Sequence, residues 1–289
     1  MPNLLITGSN GQLGSEIKVL SKYYPDYNFI FTDVDELNIT DYQSLDKFFG
    51  EHKIDFVINC AAYTAVDKAE QDEVMARFIN VNAVKYLSQI TKKHNAFLVH
   101  VSTDYVFDGK NYRPYVETDP INPVSSYGRS KADGEKEVLQ HADKAIIVRT
   151  SWLYSSFGNN FIKTILKYGK ERGKLNVVFD QIGTPTYAYD LAKAILDILP
   201  NLKTKNTIDI YHYSNEGVTS WYDFAKEIID LSEIDCVINA IETKDYPLPA
   251  TRPQYSILNK SKIKQEFNIT IPYWRDSLKT CLNIIKNHN

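Results

Sequence analysis

Tyr127 and Lys131 stand four residues apart in the stretch SSYGRSK, and this pair has the chemistry to move a proton. Positions i and i+4 share one face of a helix, so the phenol and the ammonium would be neighbours. A phenol with its ordinary pKa of about 10 is a weak acid at neutral pH. A nearby ammonium favours the phenolate and lowers that pKa, as would a positively charged nicotinamide ring. The spacing therefore predicts that Tyr127 is a general acid toward a substrate oxygen.

Polar residues also close the apolar run AFLVHVST, which reads as a buried strand ending at Ser102 and Thr103. Strand ends on this side of a parallel sheet line the ligand crevice. A Thr103 hydroxyl there would hydrogen-bond the same substrate oxygen as Tyr127, and Lys131 would also hold the nicotinamide ribose. A Tyr-x-x-x-Lys pair alone is weak evidence in a chain with 20 tyrosines, so its surroundings carry the prediction.

Three glycines, Gly8, Gly11 and Gly14, follow the first apolar run and open a predicted helix. Such glycines allow a tight turn, a close approach of pyrophosphate and close packing of the helix on the sheet, although a tight turn alone would also use them. Asp33 ends the next predicted strand, where an acid binds the adenosine ribose. The pattern predicts a dinucleotide site, and the Asp33 carboxylate favours NADH over NADPH because it would repel a 2′-phosphate.

The elements around these residues alternate between short apolar runs and amphipathic helices. Five predicted strands are NLLITG, NFIFTD, DFVINCAA, AFLVHVST and KAIIVRTS. Strand–helix repetition predicts a Rossmann-like, doubly wound parallel α/β sheet, which we assign to residues 1–150. In residues 151–289 the regular alternation of strands and helices ends. This part predicts a smaller α/β domain that mainly binds substrate, with some segments packing back on the Rossmann-like domain. The cleft between the halves is the expected ligand site.

Composition limits the partners and the compartment. The formal net charge is -3, which gives no signal for nucleic acid or an anionic membrane. Three scattered cysteines argue against a disulfide framework and a zinc site, and no segment reads as a signal peptide or a membrane span. We therefore expect a cytoplasmic protein with a small-molecule substrate, as a monomer or a homodimer.

Several stretches together resemble the family of dTDP-4-dehydrorhamnose reductases, within the extended short-chain dehydrogenase/reductase superfamily. They are TGSNGQLG, NCAAYTAVDKAE, VHVSTDYVFDG, SSYGRSKADGEK, RTSWLYSSFGNNF, DQIGTPTYAYDLA and RPQYSILN. The resemblance extends from Leu4 to about Trp274. It implies an NAD(P)H-dependent reduction of the C4 keto group of dTDP-4-dehydro-L-rhamnose to dTDP-L-rhamnose.

The same resemblance implies site residues. Thr103, Tyr127 and Lys131 would be catalytic, and Thr103, Asp104 and Trp152 would face the sugar. The positions implied for the cofactor, from pyrophosphate through adenosine to nicotinamide, are Gly11, Gln12, Leu13, Asp33, Asn38, Ile39, Ala62, Tyr63, Thr64 and Val101.

Two further residues have a physical role to play in such a site. The Trp152 indole would pack against a deoxysugar ring, although a core or hinge tryptophan is the alternative. Arg252, in the loop KDYPLPATRPQYS, would pair with a diphosphate, although it also fits an ordinary surface arginine. Asp67, Lys68 and Glu70 read as a solvated helix start rather than as catalysts.

Two positions depart from the family pattern. Asn38 stands where the family often has aspartate, and its amide can still bind adenine. Some members bind Mg²⁺ through carboxylates at a dimer contact. Glu16 would suit that role, but Tyr189 replaces the second carboxylate, so we assign no metal ligands and leave a magnesium requirement open.

Other activities remain open. Nucleotide-sugar 4,6-dehydratases of the superfamily carry Thr-Asp-Glu, but here the run is Thr103-Asp104-Tyr105, which disfavours elimination. A nucleotide-sugar epimerase stays possible on spacing alone. A non-catalytic subunit like the regulatory β subunit of methionine adenosyltransferase is the alternative of another class, since fold does not imply turnover.

Overall fold

The computed structural model describes residues 1–287 and places a six-stranded parallel sheet at its centre. The strands are β1 Asn3–Thr7, β2 Asn28–Phe31, β3 Phe56–Asn59, β4 Phe97–Thr103, β5 Ala145–Thr150, β6 Leu153–Tyr154, β7 Lys174–Val178, β8 Ile182–Gly183, β9 Thr186–Tyr187, β10 Ile208–His212, β11 Thr219–Ser220 and β12 Val237–Ile241. The α-helices are α1 Gln12–Leu20, α2 Tyr42–His52, α3 Val66–Ala69, α4 Glu73–Arg77, α5 Ala83–Lys93, α6 Ser126–His141, α7 Phe161–Arg172, α8 Ala188–Leu202, α9 Trp221–Leu231, α10 Ser261–Phe267 and α11 Trp274–Asn287.

The central sheet has the strand order β10-β5-β4-β3-β1-β2, with every neighbouring pair parallel. Its inner strands are almost continuously buried, which explains their uninterrupted apolar sequences. Leu4 and Ile6 face a core shared with α1 and α8, whereas Leu5, between them, faces a core shared with α2 and α5. Helices therefore cover both faces, and the predicted Rossmann-like α/β fold is confirmed.

A second core lies in the later part of the chain. Its strands β7 and β12 pair in parallel, and α7, α9 and α11 pack around them through Ile228, Trp274 and Leu278. Two short pairs, β6 with β9 and β8 with β11, connect this region to the end of β5. The β12 segment has no apolar pattern that indicates a strand, because Ile238 is the one residue buried within it.

One segment of the later half joins the first sheet. Residues Ile208–His212 of β10 pair in register with Ala145–Arg149 of β5, and α8 contributes to the core beneath α1. The division near residue 150 remains a prediction. Among residues 1–287, none of the helices has the length and apolarity needed to cross a membrane.

The amphipathic stretch VMARFINVNAVKYLSQITKKH, residues 74–94, does not form one continuous α-helix. A π-helical turn, Phe78–Asn82, separates α4 from α5 and turns Asn80 into the interior, where it is 1% exposed. Such turns often occur at functional sites because they redirect one side chain.

Candidate active site

The glycine turn between β1 and α1 has the shape that a pyrophosphate needs. Gly8 has a φ of 62°, and a Cβ there would lie 2.7 Å from the Ala61 backbone. A Cβ at Gly14 would lie 2.5 Å from Ser9 Cα, so α1 can approach the turn only without one. Gly11 caps α1 with no side-chain hydrogen bond, which leaves the helix N–H groups for a ligand. The turn thus needs glycine at Gly8 and Gly14, and the free N–H groups beside it suit the pyrophosphate of a dinucleotide.

Asp33 lies at the end of β2, beside this turn. Its Oδ2 accepts a 3.0 Å hydrogen bond from the backbone N–H of Asn10, and its Oδ1 accepts one from Val34. The carboxylate is therefore fixed next to the phosphate-binding loop. Asn38 is exposed and accepts hydrogen bonds from Thr40, so its amide nitrogen is the group that faces outward for a base. Ile39 is buried in the core that the sheet shares with α2 and α5.

Tyr127 is positioned by the start of α6. Ser125 caps this helix through a hydrogen bond to its side chain from Gly128 N. Glu70 then accepts hydrogen bonds of 2.8 Å from both the backbone N–H and the hydroxyl of Ser126. The Tyr105 ring meets the Tyr127 ring edge-on, with centroids 5.5 Å apart. These contacts define where the phenol lies.

The sequence-based expectation for the Tyr127 pKa is wrong for the protein by itself. Burial raises that pKa to about 12, a hydrogen bond with Thr103 lowers it less, and the charge of Asp104 raises it further. The Lys131 ammonium is not among the groups that shift this pKa, and it donates a hydrogen bond to the carbonyl of Val101. The phenol therefore holds its proton throughout the neutral range, which is the state that a proton donor requires.

Lys131 is 2% exposed and lies below the carboxyl end of β4. Its Nζ donates a 2.7 Å hydrogen bond to the carbonyl of Val101 and lies 3.4 Å from Nε2 of His100. Burial lowers the pKa of Lys131 to about 8, against the opposing influence of the Glu135 carboxylate. Burial also holds the pKa of His100 well below its usual value, so this neighbour is neutral.

Thr103 and Asp104 form the end of β4 and the turn after it. The Thr103 hydroxyl donates a 3.0 Å hydrogen bond to Asp104 Oδ1 and accepts one from Tyr105 N. Burial raises the pKa of Asp104 to about 6, with the hydrogen bond from Thr103 opposing that rise. The Asp104 carboxyl, with its pKa of about 6, therefore lies beside the hydroxyls of Thr103 and Tyr127.

A cavity of about 600 Å³ brings these groups together at the carboxyl edge of the sheet. The predicted site residues that line it are Gly11, Gln12, Leu13, Ala62, Thr64, Val101, Thr103, Asp104, Tyr127, Lys131 and Trp152. The predicted residues outside its lining are Gly8, Gly14, Asp33, Asn38, Ile39, Tyr63 and Arg252. The start of α1 after the glycine turn and the predicted proton donor Tyr127 thus line one cavity, and their roles stay predictions.

Arg252 makes an ion pair that the sequence did not indicate. Its guanidinium donates two hydrogen bonds to the carboxylate of Asp67, at 3.0 and 2.7 Å. Arg252 also lines a second, smaller cavity of about 310 Å³. Asp67 is therefore a partner of Arg252, and Glu70 a partner of Ser126, rather than parts of a solvated helix start. A diphosphate role for Arg252 stays a prediction.

Three further residues of the site escaped the sequence analysis. Asn80 hydrogen-bonds both the N–H and the carbonyl of Tyr63 and also reaches the Ser130 hydroxyl on α6. Asn160 caps α7 and donates to the side chain of Gln12. Trp221, at the start of α9, lines the cavity beside Trp152. Only Asn80 carried a signal, as an amide within a helix-like apolar pattern.

Glu16 does not fit an exposed metal site. It is 2% exposed and its carboxylate accepts a 2.6 Å hydrogen bond from Ser155. Burial raises its pKa to about 6. Within residues 1–287, no group of three or more histidine, cysteine, aspartate or glutamate residues could hold a metal ion.

The chain is similar over nearly its whole length to several known proteins. A dTDP-4-dehydrorhamnose reductase of Aggregatibacter actinomycetemcomitans is 43% identical to this chain, in an alignment that covers 96% of this chain and 98% of the relative. The crystal structure of a dTDP-4-dehydrorhamnose reductase from Clostridium acetobutylicum covers 98% of this chain and 99% of its own, with a TM-score of 0.93 and 41% identity. A Bacillus anthracis dTDP-4-dehydrorhamnose reductase solved in complex with NADP covers 98% of this chain and 100% of its own, with a TM-score of 0.92 and 36% identity.

A protein-family model also matches nearly the whole chain. Residues 2–287 match the family described as the RmlD substrate binding domain, which takes in the glycine turn, the Tyr127–Lys131 helix and the aromatic end of the cavity. By this match, and by the identity to full-length relatives, the chain belongs to the RmlD substrate binding domain family.

Proposed function

We propose that this chain catalyses the NAD(P)H-dependent reduction of the C4 keto group of dTDP-4-dehydro-L-rhamnose, the last step in the synthesis of dTDP-L-rhamnose. The observation that carries the proposal is that Thr103, Tyr127 and Lys131 line the same cavity as the phosphate-binding turn. Relatives described as dTDP-4-dehydrorhamnose reductases support this choice of substrate.

The chemistry follows from the protonation states of these residues. Bound NAD(P)H supplies a hydride to C4 of the sugar. Tyr127, which burial keeps protonated, donates its phenolic proton to the C4 oxygen. The Thr103 hydroxyl, which donates to Asp104 Oδ1 in this structure, turns to donate a hydrogen bond that orients the same oxygen. On cofactor binding, we propose that Lys131, charged below its pKa of about 8, exchanges the Val101 carbonyl for the nicotinamide ribose and for the phenolate that forms on Tyr127.

We propose that NADH is the preferred cofactor and that NADPH is also accepted. The Asp33 carboxylate, held beside the glycine turn by Asn10 N, would hydrogen-bond the adenosine ribose and repel a 2′-phosphate. Asn38 and Ile39 would lie along the adenine, and Ala62, Tyr63, Thr64 and Val101 along the nicotinamide. The NADP bound by the Bacillus anthracis protein supports acceptance of the phosphorylated cofactor.

On the substrate side, we propose that Asp104 and Trp152 contact the sugar and that Arg252 contacts the diphosphate after exchanging its Asp67 partner. Elimination, as in a 4,6-dehydratase, is disfavoured because Tyr105 follows Asp104. Burial raises the pKa of the Tyr105 phenol far above neutrality, so this residue is no substitute for a carboxylate base.

We propose a cytoplasmic enzyme that acts on a nucleotide sugar, as a monomer or homodimer, without nucleic acid or membrane partners and without a magnesium requirement. The burial of Glu16 and its bond to Ser155 support the last point, since a metal shared between subunits needs exposed ligands. Adding a chelator should leave the turnover number unchanged.

The deciding experiment measures absorbance at the NADH band. Purified protein is mixed with NADH and with dTDP-4-dehydro-L-rhamnose formed in situ by the upstream enzymes. We expect stoichiometric oxidation of NADH and formation of dTDP-L-rhamnose. Binding of NADH without oxidation would contradict the proposal and favour the non-catalytic alternative, whereas turnover without net oxidation would favour an epimerase.

A further inference from the structure

Two indoles are stacked at the substrate end of the cavity. The rings of Trp152 and Trp221 lie nearly parallel, with centroids 3.6 Å apart and an interplanar angle of 9°. Both residues line the cavity that contains Tyr127. Trp221 therefore covers one face of the residue that we expect to contact the sugar, and only the remaining surface of Trp152 is open to a ligand.

Trp152 has an unusual backbone that does not fix its ring by itself. Its φ is 46°, in the left-handed region, at the point where the chain leaves β5. A Cβ on Gly183 would lie 2.6 Å from Cε2 and Cζ2 of the indole, so the β8 backbone passes directly against it. The ring is consequently bounded by Gly183 and by the face of Trp221.

Trp221, in contrast, is held by a rigid element. It is the first residue of α9, directly after Ser220, whose hydroxyl forms a capping box with Asp223. The ring of Phe161, at the start of α7, lies 4.6 Å from the Trp221 ring. The second core therefore fixes the plane of Trp221, and stacking transmits that plane to Trp152.

We propose that Trp221 is a positioning residue that sets the plane of the Trp152 indole and thereby the fit of the sugar. The proposal rests on the proposed function for the identity of the sugar nucleotide. A deoxysugar offers an apolar ring edge and a methyl group, and these gain contact area only if the indole is presented at a fixed angle. Trp221 acts through Trp152, not through a separate contact with the substrate.

The test is a double-mutant cycle of Trp152→Ala and Trp221→Ala, read as KM for the sugar nucleotide and as the Kd of dTDP-L-rhamnose by calorimetry. Trp221→Ala should raise both about tenfold, with the KM for NADH changed less than about twofold. In the Trp152→Ala background, the same change should have almost no effect, because the group through which it acts is gone. Additive effects would overturn the proposal in favour of a direct sugar contact.

A spectroscopic readout separates positioning from general stability. Stacked indoles give an exciton couplet in the far-ultraviolet circular dichroism spectrum, which should vanish in Trp221→Ala. Trp221→Phe should bring the KM back to within about threefold of the parent, since a phenyl ring still stacks. Trp274→Phe is the matched control, because Trp274 lies in the second core and outside the cavity lining. This control should keep both the couplet and the KM.

The two proposals fail in different ways. If the parent protein binds dTDP-L-rhamnose without reducing the keto sugar, the proposed function fails, and the cycle is still measured as Kd. A couplet that persists in Trp221→Ala, or a KM for NADH that rises in parallel with that for the sugar, would overturn the role of Trp221 alone. A parent protein that does not bind the nucleotide sugar at all would overturn both proposals.

Discussion

The carboxylate of Glu70 accepts two 2.8 Å hydrogen bonds from Ser126, one from the Ser126 backbone N–H and one from the Ser126 hydroxyl. Ser126 immediately precedes Tyr127, so this contact anchors the first turn of the helix that carries the proposed proton donor. The contact joins Glu70, in a segment that the sequence predicts to be solvated, to Ser126 at the start of α6. Its value can be measured by removing the carboxylate.

Glu70→Ala should lower kcat about tenfold or more, because a small displacement of a catalytic group is costly, and should destabilise the protein by about 1 kcal/mol. Steady-state kinetics and thermal unfolding measure the two effects. Glu70→Gln, which keeps an acceptor, should recover most of both. Glu73→Ala, at an exposed position of α4, is the control. An unchanged kcat in Glu70→Ala would show that the α6 cap alone positions Tyr127.

Tyr127→Phe should lower kcat by about 10²–10⁴, the usual loss for a general acid. The phenyl ring keeps the edge-on contact with Tyr105, so NADH binding, followed by fluorescence, should be retained. Tyr23→Phe, at an exposed site, serves as the matched control. Near-normal turnover in Tyr127→Phe would remove this phenol from the mechanism.

The pH profile of kcat/KM should report Lys131. Burial lowers its pKa from 10.5 to about 8, so the ammonium loses its proton as the pH rises through about 8. The expected profile falls above that pH, because the phenolate on Tyr127 loses its stabilising charge. Lys131→Met should be slow at every pH and lack this limb. Lys136→Met, on the exposed side of α6, should keep it. A flat profile to pH 10 in the parent protein would contradict the assignment.

The Asp67–Arg252 pair predicts a stability effect with a definite pH dependence. The hydrogen bond from Arg252 is the main cause of a lowered Asp67 pKa, so the pair stabilises the fold above the ordinary value of 3.8 and loses that contribution as the pH falls through the lowered pKa. Arg252→Ala should therefore lower Tm by a few degrees at neutral pH and by less in acid.

Two variants sharpen that experiment. Lys226→Ala removes an exposed helix pair and should change Tm little at any pH. Asp67→Asn frees the guanidinium and should keep or lower the KM for the sugar nucleotide if Arg252 binds the diphosphate. A raised KM in Asp67→Asn together with an unchanged KM in Arg252→Ala would leave the pair a structural contact.

Asp33 should control the choice of cofactor. Asp33→Ala removes the negative charge beside the glycine turn and should raise the ratio of kcat/KM for NADPH to that for NADH about tenfold. Asp35→Ala, two residues along and exposed, changes the net charge equally and should leave the ratio unchanged. A parent protein that already favours NADPH would contradict the role assigned to Asp33.

Sequence reasoning found the residues whose role depends on local spacing. Gly8 and Gly14 follow a strand and open a helix, and the Tyr127–Lys131 pair occupies one helical turn, so neighbours along the chain carried the information. The Trp152–Trp221 stack and the Asp67–Arg252 pair join distant segments, and no local pattern encodes such contacts. The Tyr127 pKa was misjudged for a related reason, since burial depends on the whole fold and is the main cause of the raised pKa, to which the Lys131 ammonium does not contribute.

Because β10 comes from the later half yet completes the central sheet next to β5, the two halves are not modules that can be separated at residue 150. A fragment ending there would expose the β5 edge as an open template for aggregation and strip α8 from the core beneath α1. Chimeras that exchange substrate specificity should therefore retain Ala188–His212 from the parent that donates the sheet. The exchangeable parts are the segments of the second core, 151–187 and 221–241, because Tyr213, Ile263 and Ile271 also pack in the core beneath α1.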